Sequence, residues 1–423
     1  MNRDSNILNR IDWLTILIYW ILVIMGWLNI YASVYEEDAG MSIFDFSLNS
    51  GKQLIWIAST VIIFFIIISI DFQFYESIAY VLYGIIILML IFVLVFGSKV
   101  SGARSWFEIG SFLKIQPSEF AKFITALVVA RFMSSPGFKF NSTRQLIFVT
   151  MMALGPMLLI LLQPDPGTAL IYFSFIIVFF REGLSPLVLI IGLLFVLIFI
   201  TTLFINQLYI ILAVIGIAAI SIVFAEKTFK KISGILIVMI LTIGVTFSVD
   251  YFQTNILKPH HQKRLRVLIN PDSDPLGDGW NVTQSKIAIG SGQFWGKGFL
   301  NGTQTKFDFV PEQSTDFIFC TLGEEHGYVG TSIVIILFIF LILRIFSIAE
   351  RQKSRFAQVY SYAVGSIIFF HFMINIGMTI GLFPVIGIPL PFFSYGGSSL
   401  WAFSILLFIM LKLDAHRMQI FVR

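Results

Sequence analysis

Residues 77–96, SIAYVLYGIIILMLIFVLVF, run for twenty positions without a charged side chain, with Glu76 before them and Lys99 soon after. At about 1.5 Å of rise per residue, a helix of that length matches the roughly 30 Å hydrocarbon core of a bilayer. Working outward, the same reading finds eleven more apolar runs broken by charge or by Pro/Gly clusters: 13–33, 53–70, 117–133, 145–163, 167–180, 186–204, 208–225, 232–253, 317–343, 358–382 and 397–412. The expectation is an all-α polytopic membrane protein of about twelve transmembrane helices, organised as a single integral membrane domain over 1–423.

Composition agrees. Apolar residues make up 57% of the 423 and charged ones only 12%, against about 25% in soluble domains, which excludes a cytosolic enzyme or a nucleic-acid binder. The single cysteine, Cys320, permits no internal disulfide. The first run is too long for the apolar part of a signal peptide and many others follow it, so it reads as a retained helix.

The net charge of +4 matters less than where the basic residues stand. With a cytoplasmic N-terminus, the inner segments hold Arg3 and Arg10; Arg131, Lys139 and Arg144; Arg181; Lys227, Lys230 and Lys231; Arg344, Arg351, Lys353 and Arg355; and Lys412, Arg417 and Arg423, which is 16 of the 28. The outer loops 164–166, 205–207 and 383–396 hold none, the asymmetry of the positive-inside rule. Both termini are therefore expected in the cytoplasm. The large loop 254–316 and the loop from Gly97 to Gln116 are expected outside, where any chemistry would take place.

Polar residues inside the spans narrow the function. Gln116-Pro117-Ser118-Glu119 opens one span with proline in its first turn, so Glu119 and Lys122 fall at i and i+3 on one face. Lone charges in a membrane are costly, so the two are expected to meet, either as a structural ion pair or as a charged cavity lining. Asp165, in Gln163-Pro164-Asp165-Pro166, reads as a helix cap. Trp106 beside Arg104 is an interfacial anchor or a platform for a sugar and its phosphate.

Three prolines between Phe383 and Pro391, followed by Ser394-Tyr395-Gly396-Gly397, imply non-helical backbone covered by protein or facing a water-filled cavity. The stretch His260 to Ile269 mixes basic and apolar residues as an interfacial helix does, and its adjacent histidines lack metal-ligand spacing. Asp316 stands at the entrance of a span that carries Glu324, Glu325 and His326. It is a helix N-cap or, being reachable and partly desolvated, a general base.

These motifs together resemble the SEDS family (shape, elongation, division and sporulation). The resemblance rests on Gly102 to Trp106, Gln116 to Glu119 with Lys122, Gln163 to Asp165 with Gly167 and Thr168, Gln284 to Gly292, Pro311 and Glu312 with Thr315 to Phe319, Gly381 to Pro391, and Ser394 to Ser398. Asn301-Gly302-Thr303-Gln304 is more like the family's elongation branch than its division branch.

The resemblance implies a peptidoglycan glycosyltransferase of the bacterial cytoplasmic membrane. Such an enzyme polymerises lipid II, an undecaprenyl-pyrophosphate-linked donor, into β-1,4 glycan strands on the outer side. It also implies a class B penicillin-binding protein and the elongation machinery as partners. Asp316 matches the position regarded as catalytic, and the resemblance leaves room for a divalent cation, Mg or Mn, although no ligand cluster in the sequence fixes one. Arg104, Trp106, Lys286, Lys297, Glu312 and Ser394 are the candidates to hold phosphate or sugar, with Glu312 also the alternative base and Asp308 ordering the loop. Glu119, Lys122 and Asp165 are expected to line the cavity.

Family members typically have ten spans, so the two extra runs near 186–225 are read as an insertion that preserves the sidedness of every later span. A lipid II flippase and a non-catalytic scaffold for the penicillin-binding protein are the alternatives.

Overall fold

In a computed structural model, residues 7–35, 42–100, 103–110, 113–140, 142–224, 228–251, 278–306 and 309–417 are described. The expected interfacial stretch 260–269, Gly102 and Asp308 lie outside them. The described residues form two compact units, one of 1–183 with 284–423 and one of 184–283.

In the first unit the helices are α1 (Trp13–Ser33), α2 (Asn49–Ser69), α3 (Phe72–Phe96), α4 (Pro117–Met133), α5 (Thr143–Leu162) and α6 (Pro166–Arg181), the last changing to a 3-10 turn over Ile171–Ser174. The second unit holds α7 (Pro186–Phe204), α8 (Gln207–Phe224) and α9 (Phe229–Tyr251), of which α8 and α7 each pack on α9. After α10 (Asp278–Ser291) and the one-turn α11 (Thr303–Lys306), the first unit closes with α12 (Ile318–Glu350), α13 (Arg355–Thr379) and α14 (Gly397–Ala415).

Each of the twelve apolar runs meets a helix. Among the described residues, nine helices are long and apolar enough to cross a membrane, and Pro166–Arg181 is a shorter apolar one. The chain is therefore a multi-pass membrane protein.

Helix starts follow local chemistry. Asp12 caps α1 by accepting from the Thr15 backbone N–H at 3.1 Å, and Asp71 caps α3 by accepting from that of Gln73 at 2.7 Å. Pro117 and Pro186 occupy first turns, where proline's missing N–H removes nothing. In α3 the buried residues Tyr75, Ala79, Ile86, Leu90 and Val93 form one stripe, while Leu88, Val95 and Phe96 are exposed as lipid-facing side chains are. By contrast α4, α13 and α14 are buried along most of their lengths and make the centre of the first unit.

The stretch read as a loop from Gly97 to Gln116 contains a small antiparallel sheet in the order β1 (Ser98–Val100), β2 (Ala103–Ile109), β3 (Leu113–Ile115). Its β2–β3 register pairs Phe107 with Ile115 and Glu108 with Lys114, the latter two also forming an exposed ion pair at 2.9 Å. The Ser398 hydroxyl donates to the Lys114 carbonyl at 2.9 Å, fixing the sheet to the first turn of α14.

Candidate active site

The turn 309–317 is held from several sides. Gln313 donates its amide nitrogen to the carbonyls of Ser33 and Thr305, both at 2.8 Å, and Asn29 on α1 donates to the Ile318 carbonyl at 2.9 Å. Glu312 takes a left-handed φ of 57°, which folds the turn so that the Thr315 and Phe317 N–H groups reach its carbonyl at 3.1 and 3.2 Å. Its carboxylate accepts from the Thr315 hydroxyl at 2.9 Å.

Helix α12 begins at Ile318 with Phe317 at the cap position, so Asp316 is not the N-cap residue. Asp316 is partly exposed, and its own carbonyl accepts from Asn375 at 2.8 Å.

The loop 384–396 closes against this turn. The Tyr395 N–H donates to the Ser314 carbonyl at 2.9 Å, and the Ser394 hydroxyl, buried within its own turn, accepts from the Leu390 N–H at 2.9 Å. Gly387 has φ +68°, and a Cβ there would lie 3.3 Å from Asp316 Oδ2, so loop backbone sits directly against the carboxylate. The irregular backbone is thus covered by protein, as its depth in the chain's apolar sequence required.

Beneath the loop lies the predicted pair. Lys122 Nζ donates to both Glu119 oxygens at 2.8 Å, with each side chain at most 4% exposed, and sits 4.7 Å from the centre of the Phe403 ring. It also meets His371 Nε2 at 3.0 Å, while His371 Nδ1 reaches the Pro389 carbonyl at 3.3 Å. A chain of polar contacts therefore runs from α4 through α13 to the loop.

Asp165 caps α6 by accepting from the Thr168 N–H at 3.0 Å and hydroxyl at 2.8 Å, and it accepts from Gln116 at 3.1 Å. Burial pushes its carboxyl above the ordinary range, outweighing the Thr168 hydrogen bonds and the Lys122 charge.

Other sequence candidates are dispersed. Arg104 on β2 donates to the Leu94 carbonyl at 3.3 Å and ties its backbone to Gln163 at 3.2 Å, while Trp106 is partly exposed on the same strand. Lys286 is exposed on α10. Lys297 donates to Glu324 at 2.6 Å and to Thr303 at 2.7 Å. Glu324, fully buried, also accepts the N–H groups of Thr303, Gln304 and Thr305 at 2.8–3.0 Å, so this carboxylate caps α11.

That contact accompanies a break in α12 at Gly327 (φ 62°, ψ −157°), where the freed carbonyls of Glu324 and Glu325 accept from Lys297 and Gly298. Among the described residues no group of three or more His, Cys, Asp or Glu is placed to hold a metal ion.

Sequence reasoning missed His371 and Asn375. Both are buried on α13 at i and i+4, and their only sequence signal was a polar side chain within an apolar run.

The FtsW, RodA and SpoVE family of cell cycle proteins matches residues 12–419. The chain belongs to this family. It is 34% identical over 409 residues to the peptidoglycan glycosyltransferase MrdB of Escherichia coli (strain K12), covering 96% of this chain and 92% of that one. It is 32% identical to the peptidoglycan glycosyltransferase RodA of Treponema pallidum, covering 96% and 98%.

Among solved structures, a chain from work on polymerization and crosslinking by a peptidoglycan synthase complex superposes with a TM-score of 0.70 at 24% identity, over 97% of this chain and 99% of that one. The rod shape determining protein RodA of Thermus thermophilus superposes with 0.61 at 21% identity, over 99% of both. These superpositions show that the chain shares the fold of those proteins.

Proposed function

We propose that this family member is a peptidoglycan glycosyltransferase that polymerises lipid II into β-1,4 glycan strands during cell elongation, with Asp316 as the general base. The observation that carries the assignment to Asp316 is its position: it precedes the helix cap, its backbone is held by Asn375, and its carboxylate lies against Gly387 while remaining partly exposed. A carboxylate whose main chain is held in place is positioned to serve a substrate hydroxyl.

In the reaction the acceptor sugar's 4-hydroxyl oxygen attacks C1 of the donor sugar. Its proton passes to Asp316, the new C1–O4 bond forms, and the C1–oxygen bond to pyrophosphate breaks with its electron pair left on the phosphate. Direct displacement at an α-linked donor inverts it to the β bond, and no covalent enzyme intermediate is needed.

Pyrophosphate is stable as an anion, so the leaving side requires positive charge rather than a strong acid. Exposed Lys286 and the Arg104 guanidinium are the candidate cations; Lys297, directed at buried Glu324, orders the loop before α11. The site faces outward from the bacterial cytoplasmic membrane, supported by the basic residues that gather at the opposite ends of the helices. A class B penicillin-binding protein is the partner, docked on lipid-facing helix surfaces; a structural relative came from a peptidoglycan synthase complex.

The test is lipid II polymerisation by purified protein. A positioned base contributes about 10²- to 10⁴-fold, so Asp316→Asn is expected to lose detectable polymerisation while retaining expression and lipid II binding. Wild-type turnover in that variant removes Asp316 from the chemistry. Absence of polymerisation by the wild-type protein and its partner together favours the flippase or scaffold readings.

A further inference from the structure

The turn bearing Asp316 and the loop 384–396 come from different parts of the chain, and one buried side chain joins them. Asn375 has no exposed surface, and its amide nitrogen donates to the Asp316 carbonyl at 2.8 Å and to the Ile388 carbonyl at 2.7 Å. An amide nitrogen has two N–H groups, so this one is fully committed to the two walls of the site. Resting on the reading of Asp316 as base, we propose that Asn375 is its positioning residue, setting the distance between the Asp316 turn and the loop backbone at Gly387.

Three observations converge on this role. First, both acceptors are non-helical carbonyls, one belonging to Asp316 itself and the other to the residue after Gly387, rather than groups within α13. Second, Gly387 lies close enough to Asp316 that an added Cβ would stand 3.3 Å from Oδ2, so a change in the spacing held by Asn375 moves the carboxylate relative to this stretch of loop. Third, His371, one helical turn earlier, holds the adjacent Pro389 carbonyl at 3.3 Å and meets Lys122 at 3.0 Å. The loop is thus gripped at consecutive residues, 388 and 389, from one face of α13.

A role in packing alone fits poorly. Asn375 Oδ1 is buried without a hydrogen-bond partner among the described residues, and a half-satisfied amide is a costly way to fill apolar space. The amide's contribution lies in the two donated bonds.

Full-length Asn375→Leu, which removes both donors, and Asn375→Ser, which keeps one on a shorter side chain, are to be purified beside wild type and Asp316→Asn. Lipid II polymerisation then gives kcat and KM, and thermal melting in the same detergent reports the fold. A displacement of about 1 Å at a reacting group costs on the order of 10²-fold, so the expected result is a 10- to 100-fold lower kcat in Asn375→Leu and a smaller loss in Asn375→Ser. KM should stay within about twofold and the melting temperature should hold.

Wild-type kcat in Asn375→Leu overturns the proposal. So does a kcat loss that merely tracks a lowered melting temperature, or a failure of both variants to fold, since either makes Asn375 a structural residue. If only the leucine variant fails to fold, the serine variant decides by the same criteria. The Asp316→Asn arm separates the two readings: near wild-type polymerisation there removes the base assignment itself. Inactive Asp316→Asn beside normal turnover in the Asn375 variants removes only the positioning role.

Discussion

The two ends of the first unit are stabilised by different means. At the end carrying Asp12, helices are joined by full charges: Asp12 accepts from Arg344 at 2.6 Å and Arg351 at 2.9 Å, and fully buried Asp414 is bound by Arg351, by Arg417 at 3.0 Å and by Gln352 at 2.9 Å. At the end carrying Asp316, Lys297–Glu324 and Lys114–Glu108 are also ion pairs, but the turn and loop around Asp316 are tied by neutral amides and hydroxyls on main-chain carbonyls, supplied by Asn29, Gln313, Asn375 and Ser398. Glu312, Gly387 and Phe392 there adopt left-handed φ values of 57°, 68° and 64°.

Ion pairs hold helix ends but also neutralise one another, so Asp12 and Asp414 are committed to their arginines. Neutral ties to the backbone fix the turn without adding a further full charge to it, and the unusual backbone falls where functional sites collect.

Beneath the Asp316 turn the Glu119–Lys122 pair is a full ion pair buried on both sides, and breaking it is the strongest test of the contrast. Lys122→Met leaves a buried carboxylate uncompensated and Glu119→Gln a buried ammonium, so each is expected to destabilise the protein by about 3–5 kcal/mol. The double variant should recover most of that loss, because the cost lies in the unpaired charge rather than in the missing attraction. Melting of the three detergent-solubilised variants checks it. Single variants within about 1 kcal/mol of wild type would show that His371 or water compensates the remaining charge.

How much of this was legible in the sequence depends on what each residue's neighbours in sequence disclose. Spans were legible because an apolar run long enough for a bilayer has few other uses. The Glu119–Lys122 pair was legible because i, i+3 spacing on a helix settles who meets whom, and Asp165 because Pro166 marks a first turn. Asn375 and His371 were not, since polarity in an apolar run says that a side chain faces inward but not which loop it meets.

Lys297 was among the candidates to hold phosphate or sugar, yet its partner Glu324 stands 27 residues further on, beyond any local pattern. Ser394 likewise closes its own turn, and Gly327 breaks α12 while other helical glycines do not.

The two ends should also respond oppositely to acid. Burial raises the Asp12 carboxyl, but hydrogen bonds from Arg344, Thr15 and Arg351 outweigh it and hold the group down at about 2. A carboxylate depressed in the folded state contributes stability above its unfolded value near 4 and loses it as pH falls toward the folded value. The amount is about 2 kcal/mol, lost between roughly pH 4 and pH 2.

Asp165 is pushed the other way by burial, so the folded state takes up its proton more readily and its contribution grows on acidification. Hydrogen exchange across this window should show opening first near Asp12, Arg344 and Arg351. Opening first around Asp165 and Gln116 would reverse the assignment.

The smallest effect sharpens what kind of charge matters at the Asp12 end. Arg131 pairs with Glu76 there, joining α4 to α3, but its side chains are 39% and 34% exposed whereas those of Asp12 and Asp414 are 4% and 0% exposed. Water screens an exposed pair, and ordering two long side chains offsets much of the attraction, so such pairs contribute about 1 kcal/mol or less. Glu76→Gln is therefore expected to change stability by no more than that, and raising the salt concentration should shrink the difference further. Asp414→Asn, which leaves Arg351 and Arg417 facing a neutral group, should cost distinctly more in the same melting measurement. Equal losses in the two variants would mean that the number of ion pairs, and not their burial, holds this end together.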